Sequence, residues 1–531
     1  MFFPGNTILG IGYCVLAVAA TYLCISLAYY VVFHPITSFP GPFLAKLSGG
    51  YNGYYALKRQ LHLRTWQNHL KYGSVVRQGP NKLVFSSVEA LRDIYKKDLT
   101  TKPRSYIALG PRLNIPTVFT AQDRHIHRTR RQLIGQSLSK RSMRIFKPTM
   151  LTQVDQFLKH ILNTTQLPDS SSINMTERAR LLGFDLASLL AFGYDMHLQT
   201  STKNGFVLPF LELAFYWSSI FIHWPLARRF GIGLLGIKDF RRLVGQYLPL
   251  VEHIIRTRTE QDKNAHHDFY SIVADDLDKS GSGTIRSSEL WAEATSFLPA
   301  AGDTTNTALA AVFFYLSRNP TCYATLAREI RSNFATGSEI RSSAVTTCPY
   351  LRACIDEALR MSPPVPGILW REAYAGVQPF VGDGHVILPG TIVGVNVYSL
   401  HFNAACFQNP FEFCPERWLV DDTKTIHDAF MPFSTGPRGC AGKAMAYLEV
   451  SLVLAKTMWY FDFQMASEQP EILTSEAHQG SLAGIFELLD SFTSTHRGPM
   501  LTFKQRGNFC QDLRSQIHQS HYVTSYVLEL M

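Results

Sequence analysis

The sequence lacks the cysteine spacing that zinc ribbons and iron–sulfur domains require. It has nine cysteines among 531 residues, and no two of them form a CxxC pair. Because those metal sites depend on such pairs, the spacing excludes both of them. Cysteines this sparse also suit a reducing cytosol better than a disulfide scaffold.

Low-complexity segments and nucleic-acid signatures are also missing. The chain is 46% hydrophobic and 17% charged, which is the composition of a protein that buries a large core. Its net charge is +10, but no stripe of Lys and Arg with interleaved aromatic residues indicates a nucleic-acid partner. The positive charge fits either a solvated basic surface or attraction to an acidic protein or an anionic membrane face.

Charge is absent from Thr7 to Phe33, a run of 27 residues. A helix rises about 1.5 Å per residue, so this run can cross a hydrocarbon core of about 30 Å with room for tilt. A cleaved signal peptide would have a basic start and a shorter apolar stretch. Lys46, Lys58 and Arg59 follow the run, and this bias predicts that the side after it stays cytoplasmic. We therefore predict that residues 1–33 form a membrane anchor.

A proline-rich segment, "HPITSFPGPFLAK", follows the apolar run and predicts a stiff connector over residues 34–50. No internal repeat or flexible linker interrupts the chain after it. We predict one large domain over residues 51–506, and a tail of unassigned role over residues 507–531.

The periodicity within that domain is mainly helical. Helical patterns dominate from about residue 123 to 360, and a last helix is predicted to begin near residue 441. Short strands are predicted at residues 72–86, with a turn at Gly-Pro-Asn, and again at residues 375–400. The fold class is therefore mainly α with a small β portion.

One cysteine stands in a motif. The stretch "FSTGPRGCAG" places Phe433, Gly436, Arg438, Cys440 and Gly442 in the pattern FxxGxRxCxG. Gly436 permits a tight turn, Gly442 permits close approach of the backbone to a flat ligand, and Arg438 suits a carboxylate. Cys440 would lie at a helix N-terminus, where N–H groups stabilise a thiolate. A single thiolate is the protein ligand that a haem iron needs, because the porphyrin supplies four equatorial donors.

This loop resembles the haem-binding loop of the cytochrome P-450 family, and further motifs follow in that family's order between about residues 36 and 505. The resemblance implies haem b with Cys440 as the axial thiolate ligand. It also implies the family's mainly α fold with a small sheet, preceded here by one transmembrane helix. Glu357 and Arg360 in "EALR" and Arg417 in "PERW" match the family's buried ion network, whose role is structural.

The motif "PAAGDTT" interrupts a long apolar helix. Pro299 and Gly302 are poor helix formers, so we expect a distorted helix with polar groups turned inward. By resemblance to the family's oxygen-activation motif, Asp303 and Thr304 are the expected catalytic residues and relay protons. Ala301 stands where the family usually has glycine, and its effect on the pocket is left open.

Basic residues are implied to hold the haem propionates. His127 and Arg131 stand four residues apart on one predicted helix, and Arg371 follows "PPVP". By family position, the substrate pocket is expected to have apolar and aromatic walls, with Phe297 and Phe486 among the candidates. These walls are residues 105–120, 206–225, 296–304, 363–369 and 484–494.

The resemblance implies a fungal microsomal monooxygenase that inserts one oxygen atom of O2 into a lipophilic small molecule of secondary metabolism, by hydroxylation or epoxidation. NADPH–cytochrome P-450 reductase would supply electrons at the basic face near Cys440, and cytochrome b5 is a second candidate donor. The expected location is the endoplasmic reticulum membrane, single-pass, with a cytoplasmic catalytic domain. Two alternatives remain, a haem-dependent peroxide rearrangement or isomerase and a non-catalytic haem-binding membrane protein. Thr304 argues against the first, because such branches of the family often lose this threonine. The intact pair of Asp303 and Thr304 argues against the second, because a haem sensor needs no proton relay.

Overall fold

The structure is a computed structural model, and the residues it describes cover most of the chain. They are 5–110, 115–167, 172–229, 231, 237–272, 287–341, 344–374, 378–421, 423–469 and 484–513. The predicted tail lies outside the described residues from residue 514 onward.

An exposed apolar helix begins the chain, where the charge-free run predicts one. Helix α1 spans Gly5–Ala28 and continues as a π-helical turn over Tyr29–Phe33. The stretch Gly12–Phe33 has a mean hydropathy of 2.1, and none of it is buried inside the protein. A helix of this length and composition is compatible with membrane anchoring.

One arginine joins the end of this helix to the catalytic domain. Arg77 Nη1 donates to the carbonyl oxygen of Tyr30 at 3.0 Å, and Nη2 donates to that of Pro80 at 2.7 Å. The backbone N–H of Arg77 donates to the carbonyl of Pro40 at 2.7 Å. The segment after α1 is therefore tied to the first strand at two points.

The segment predicted as an extended connector contains a short helix. Helix α2 spans Phe43–Leu47, directly after Pro42. Pro35, Pro40 and Pro42 all precede this helix, so none of them lies in a helix interior. Proline is excluded from a helix interior, but its fixed φ angle suits the residues just before and at a helix start.

The remaining helices make up most of the domain. In chain order they are α3 Gly50–Leu57, α4 Leu61–Tyr72, α5 Val88–Leu91, α6 Arg124–Ser137, α7 Lys140–Thr164, α8 Met175–Phe192, α9 Val207–His223, α10 Pro225–Arg229, α11 Ile237–Glu260, α12 Ser287–Arg318, α13 Pro320–Asn333, α14 Pro349–Met361, α15 Val397–His401, α16 Lys424–Ala429 and α17 Lys443–Tyr460. Short 3-10 turns lie at Arg104–Leu109, Gly337–Glu339, Val345–Thr347 and Pro415–Trp418, and a π-helical turn lies at Arg92–Lys96.

Helix α12 runs through the centre and packs most closely against α8. Its residues from Leu309 to Leu316 are almost fully buried in the largest hydrophobic cluster, which α7, α14 and α17 complete. A Cβ at Gly302 would lie 2.7 Å from the ring of Phe184, and one at Gly183 would lie 2.9 Å from the carbonyl oxygen of Gly302. The two glycines therefore allow the helix backbones to approach more closely than other residues would.

The described strands form small sheets. They are β1 Val75–Gly79, β2 Lys82–Phe85, β3 Thr100–Thr101, β4 Ile173–Asn174, β5 Arg371–Ala373, β6 Phe380–Gly382, β7 His385–Ile387, β8 Ile392–Val395, β9 Phe461–Met465, β10 Leu489–Ser491, β11 Thr493–Thr495 and β12 Met500–Gln505. The main sheet has the order β1–β2–β8–β5–β3, in which β2 and β8 are parallel and the other neighbours antiparallel. The two strands predicted at residues 72–86 are present, and short strands lie within residues 375–400 as predicted.

The first residues after the last strand pack onto the end of α17. The hydroxyl of Tyr460 donates to Asp512 at 2.6 Å, and the Cys510 side chain is buried against the Tyr460 carbonyl. Residues 507–513 therefore belong to the packed domain rather than to a separate tail.

Candidate active site

The loop before α17 holds Cys440 by its own backbone hydrogen bonds. The Cys440 N–H donates to the carbonyl of Phe433 at 2.8 Å, and the Gly439 N–H donates to that of Gly436 at 3.0 Å. Gly436 has φ of +73°, and a Cβ there would overlap the carbonyl oxygen of Tyr95. Only glycine fits this position, which explains its place in the motif.

The Cys440 thiol lies deep in the domain but keeps accessible surface. The residue is exposed, although burial raises the pKa of its thiol. The N–H groups of Gly442 and Lys443 at the start of α17, together with the charge of Arg131, act in the opposite direction on this pKa. A Cβ at Gly442 would meet only the Cys440 sulfur, at 4.0 Å. The thiol therefore faces an open space inside the protein.

Five basic side chains gather near this loop without a carboxylate partner. In the described part of the chain, none of them forms an ion pair, and they are Lys102, His127, Arg131, Arg371 and Arg438. Burial and the charges of Arg438 and Lys102 lower the pKa of His127 to about 3. Burial and the charge of Arg371 also lower the pKa of Arg438. Such mutual repulsion is unfavourable unless an anion compensates it.

Backbone carbonyls orient two of these cations. Arg438 donates to the carbonyls of Ala121 at 2.6 Å and Gln122 at 3.2 Å, and Lys102 donates to that of Phe119. Burial, with the charges of Arg371 and Arg438, lowers the pKa of Lys102 well below its ordinary value. The sequence analysis missed Lys102, because no periodicity or motif marks a lysine in the loop after β3.

The predicted ion network is complete, and its members Glu357 and Arg360 are fully buried. Glu357 accepts from Arg360 Nε and Nη2, each at 2.9 Å, and from Arg417 Nε at 3.0 Å. The indole of Trp418 and the N–H of Cys414 donate to the same carboxylate at 3.0 and 3.1 Å. Burial alone would raise the pKa of Glu357, but these partners outweigh it, and the pKa lies below its ordinary value.

A histidine that the sequence analysis missed links this network to the cysteine loop. His401 Nδ1 donates to the carbonyl of Arg360 at 2.9 Å, and its Nε2 accepts from the N–H of Met431 at 3.1 Å. Burial lowers the pKa of His401 to about 3, so the ring is neutral and keeps this arrangement. Met431 lies two residues before Phe433, so α14 and the loop are held in fixed positions.

The predicted catalytic pair lies on α12. The Thr304 hydroxyl donates to the carbonyl of Ala300 at 2.7 Å, and both residues keep accessible surface in an otherwise buried stretch. Ala301 on α12 and Ala441 beside the cysteine pack against the same hydrophobic cluster. The open side of α12 and the thiol of Cys440 therefore border the same interior region.

Asp303 is held by an arginine that the sequence analysis missed. Arg180 on α8 donates from Nε to Asp303 at 3.0 Å and from Nη1 to Glu212 on α9 at 3.4 Å. Glu212 also pairs with Arg59 at 3.2 Å. Burial raises the pKa of Asp303, while Arg180 opposes this shift. A charged chain thus runs from the centre of α12 to the surface near α9.

Four of the predicted pocket walls meet in one aromatic cluster. Tyr106, Phe119, Phe215 and Phe492 contact one another, with ring centroids 5.6 to 6.4 Å apart. Phe492 lies at the tip of the β10–β11 hairpin with φ of +77°. We refer to these four residues with Ile368 and Trp370 as the aromatic cluster.

The two phenylalanines suggested for the pocket have different surroundings. Phe486 is buried in the central core against Phe314, with ring centroids 5.0 Å apart. Phe297 packs against Phe269 at 5.1 Å, beside α11.

These residues fit the iron macrocycle that the resemblance implies. The accessible thiol supplies one soft donor, and Gly442 leaves room beside it for a flat ring. The five basic side chains, none of which has a carboxylate partner among the described residues, match the two carboxylates that haem b carries. The soft donor, the open space and the basic side chains therefore lie in the same part of the fold.

Comparison with known proteins agrees with this fit. The family model described as Cytochrome P-450 matches residues 40–484. The cytochrome P-450 monooxygenase poxM of Penicillium oxalicum is 31% identical over 497 residues, which are 90% of this chain and 91% of the relative. The cytochrome P-450 monooxygenase apf7 of Gibberella fujikuroi is 31% identical over 505 residues, which are 90% of this chain and 95% of the relative. The crystal structure of the cytochrome P450DA haem domain matches with a TM-score of 0.72 at 18% identity, and it covers 88% of this chain and 98% of its own.

Proposed function

Because this chain belongs to the cytochrome P-450 family, we propose that Cys440 is the axial thiolate ligand of its haem and that the five basic side chains near the cysteine loop bind the haem carboxylates. The protein is a haem-thiolate monooxygenase. When bound, haem supplies the iron that activates dioxygen, so that one oxygen atom enters the substrate. The observation that carries the assignment of the ligand is the deep, accessible thiol of Cys440 at the start of α17.

The residues near the thiol prepare it to bind a metal. N–H groups of Gly442 and Lys443 stabilise negative charge on the Cys440 sulfur, and Arg131 adds a positive charge nearby. The Glu357 network and His401 fix the backbone that carries the loop. The sulfur therefore keeps its position without a second cysteine.

Asp303 and Thr304 are proposed to deliver protons to the open side of α12. The accessible hydroxyl of Thr304 can donate a proton into that space and then accept one from Asp303. Burial raises the pKa of Asp303 and so brings its carboxyl closer to exchanging protons near neutral pH. Arg180 positions the carboxylate from the opposite side of the helix.

The substrate is proposed to be a lipophilic small molecule of fungal secondary metabolism. The aromatic cluster supports a lipophilic ligand, because its side chains offer rings and few polar atoms. The fungal source of the relatives supports the biological setting.

Electron delivery is proposed to occur on the face that carries the cysteine loop. Lys96, Arg128 and Lys443 are exposed there, and an acidic surface of NADPH–cytochrome P-450 reductase or cytochrome b5 would complement them. The apolar helix α1 supports a single-pass anchor in the endoplasmic reticulum membrane, with the domain on the cytoplasmic side.

The carbon-monoxide difference spectrum of the reduced protein tests the assignment of the ligand. Membranes containing the full chain are expected to show the Soret band of a thiolate-ligated haem. The variant Cys440→Ala removes the sulfur and is expected to lose this band completely.

The matched control is Cys406→Ala, which removes another partly buried cysteine from the described core. It should keep the wild-type spectrum. A Cys440→Ala protein with an unchanged thiolate band would refute the assignment of the ligand.

A further inference from the structure

Lys82 is a cation on the sheet face that borders the aromatic cluster. It begins β2, and in a strand residues two apart share a face, so Lys82 and Val84 point the same way. Val84 belongs to the buried group that includes the aromatic cluster. Lys82 Nζ lies 5.0 Å from the ring centroid of Trp370, which confirms the direction of the side chain.

No carboxylate neutralises this lysine. The side chain of Lys82 forms no ion pair or hydrogen bond with any residue in the described ranges. Glu372 shares its sheet face, but β8 lies between them, because both residues pair with Ile392. Two strand spacings separate their Cα atoms by roughly 9–10 Å. The positive charge therefore has only a ring face as a partner.

The side chain of Lys82 is half-buried. It keeps accessible surface, and burial lowers its pKa to about 8. The ammonium group therefore lies against Trp370 and stays within reach of a ligand. A pKa near 8 still leaves most of the lysine protonated at neutral pH.

The other polar group at this place is neutral. His223, at the end of α9, accepts from the Trp370 indole N–H at 3.3 Å. Burial and the charge of Lys82 lower the pKa of His223 far below its ordinary value. Lys82 is therefore the charged group that a ligand entering between β2 and α9 would meet.

The surroundings suggest the direction from which such a ligand enters. Lys82 directly follows the turn Gly79–Asn81, and the carbonyl of Pro80 in that turn accepts from Arg77. The same arginine holds the carbonyl of Tyr30 at the end of α1. Lys82 therefore lies between the end of the apolar anchor and the aromatic cluster.

We propose that Lys82 binds the acidic headgroup of the substrate, and that the substrate is a lipophilic carboxylic acid whose apolar body lies in the aromatic cluster. The ammonium group donates to the carboxylate, while the rings exclude water and strengthen this contact. The proposal rests on the proposed function, and it adds the chemical class of the substrate.

Isothermal titration of the purified holoenzyme in a neutral detergent tests the proposal. Decanoate is the acidic probe, and decanamide has the same chain with an uncharged headgroup. The variant Lys82→Met keeps the length of the side chain and removes its charge. We expect decanoate binding to weaken about tenfold in Lys82→Met, which is the change expected from losing one charge-assisted hydrogen bond, while decanamide changes less than about twofold.

Two further variants distinguish a specific contact with Lys82 from a general effect of positive charge on binding. Lys82→Arg keeps a cation and should retain most of the affinity for decanoate. Lys46→Met removes a partly exposed lysine on α2, near Arg77, and should leave both affinities unchanged. Equal weakening of both probes by Lys82→Met, or an effect of Lys46→Met as large as that of Lys82→Met, would overturn the proposal.

A membrane lipid is the other source of such an anion. Titration with phosphatidylserine in the micelles tests this source. A heat of binding that depends on Lys82 for phosphatidylserine but not for decanoate would overturn the assignment to a free acid. The carbon-monoxide spectrum of each variant is recorded first. Absence of decanoate binding in protein with a normal thiolate spectrum would refute the role of Lys82 and leave the monooxygenase function intact.

Discussion

Asp303 and Thr304 are adjacent on α12, but their polar atoms have different partners. The hydroxyl of Thr304 donates to the Ala300 carbonyl and borders the open space, whereas the carboxylate of Asp303 turns to Arg180 on α8. The pair therefore connects the interior of the site with a chain of charged groups that reaches α9. In the proposed proton delivery, Thr304 would therefore face the reaction and Asp303 would connect it to the charged chain.

Replacing Thr304 by alanine is expected to uncouple electron use from oxygen insertion. The variant lacks the Thr304 hydroxyl, and neither Ala300 nor Ala301 beside it has a polar side chain. Protons therefore reach the site less efficiently. We expect the hydrogen peroxide released per NADPH consumed to rise, with product per NADPH falling at least about tenfold. The measurement compares NADPH, peroxide and product in a system reconstituted with reductase.

Thr325→Ala is the matched control, because its hydroxyl also donates to the carbonyl one turn earlier, that of Thr321 at 3.0 Å, but on an exposed helix. It should leave the coupling unchanged. Unchanged coupling in Thr304→Ala as well would exclude the hydroxyl from proton delivery.

At the scale of elements, the Glu357 network joins α14 to the segment that leads into the cysteine loop. Three side chains and one backbone N–H converge on a single carboxylate that is fully buried. Burying an ion group stabilises a fold only when each charge is satisfied, and here each one is. The backbone position of Cys440 depends on this junction more than on local helix propensity.

The variant Glu357→Gln is expected to lower the free energy of unfolding by about 3–5 kcal/mol at pH 7, because Arg360 and Arg417 lose their charged partner. The pKa of Glu357 lies below its ordinary value of 4.5. Ionisation of Glu357 therefore stabilises the fold above pH 4.5, and this contribution is lost as the pH falls through the lower folded-state pKa. Denaturant unfolding at pH 7 and at pH 4 and below measures both effects.

The stability difference between wild type and Glu357→Gln should shrink as the pH falls. Glu416→Gln is the control, since this neighbour accepts from Tyr350 and lies outside the ion network. A difference that stays constant down to pH 3 would contradict the proposed ionisation.

The sequence predicted those parts of the site that depend on short motifs. The cysteine loop, "EALR" and "PERW" are each set by local spacing, so Cys440, Glu357 and Arg417 could be named in advance. Arg180, Lys102 and Lys82 could not, because their partners are distant in sequence; Arg180 and Asp303, for example, are 123 residues apart. Phe486 was misplaced because aromatic composition does not distinguish a pocket wall from a core position.

At the scale of the whole molecule, the apolar helix α1 is a distinct part that adjoins the domain mainly at its end. Deleting residues 1–28 removes all of α1 and keeps Tyr30, whose carbonyl Arg77 binds. We expect this variant to move from the membrane pellet to the soluble fraction and to keep its carbon-monoxide spectrum. Sedimentation followed by the spectrum of each fraction measures both.

A longer deletion, of residues 1–33, serves as the comparison. It removes the Tyr30 carbonyl, so Arg77 loses one acceptor and the melting temperature should fall relative to the shorter deletion. A shorter variant that stays entirely in the membrane pellet would show that α1 is not needed for attachment.

The contact of Arg77 with Tyr30 and Pro80 also has a consequence for selectivity. It places the turn before Lys82 at the end of the anchor. Molecules dissolved in the bilayer would therefore reach Lys82 before molecules dissolved in water. Each methylene group favours transfer into lipid by about 0.8 kcal/mol, roughly a fourfold enrichment. The lipid phase would thus sort molecules by chain length before any side chain contacts them, and an affinity measured in water would underestimate how strongly the cell distinguishes one substrate from another.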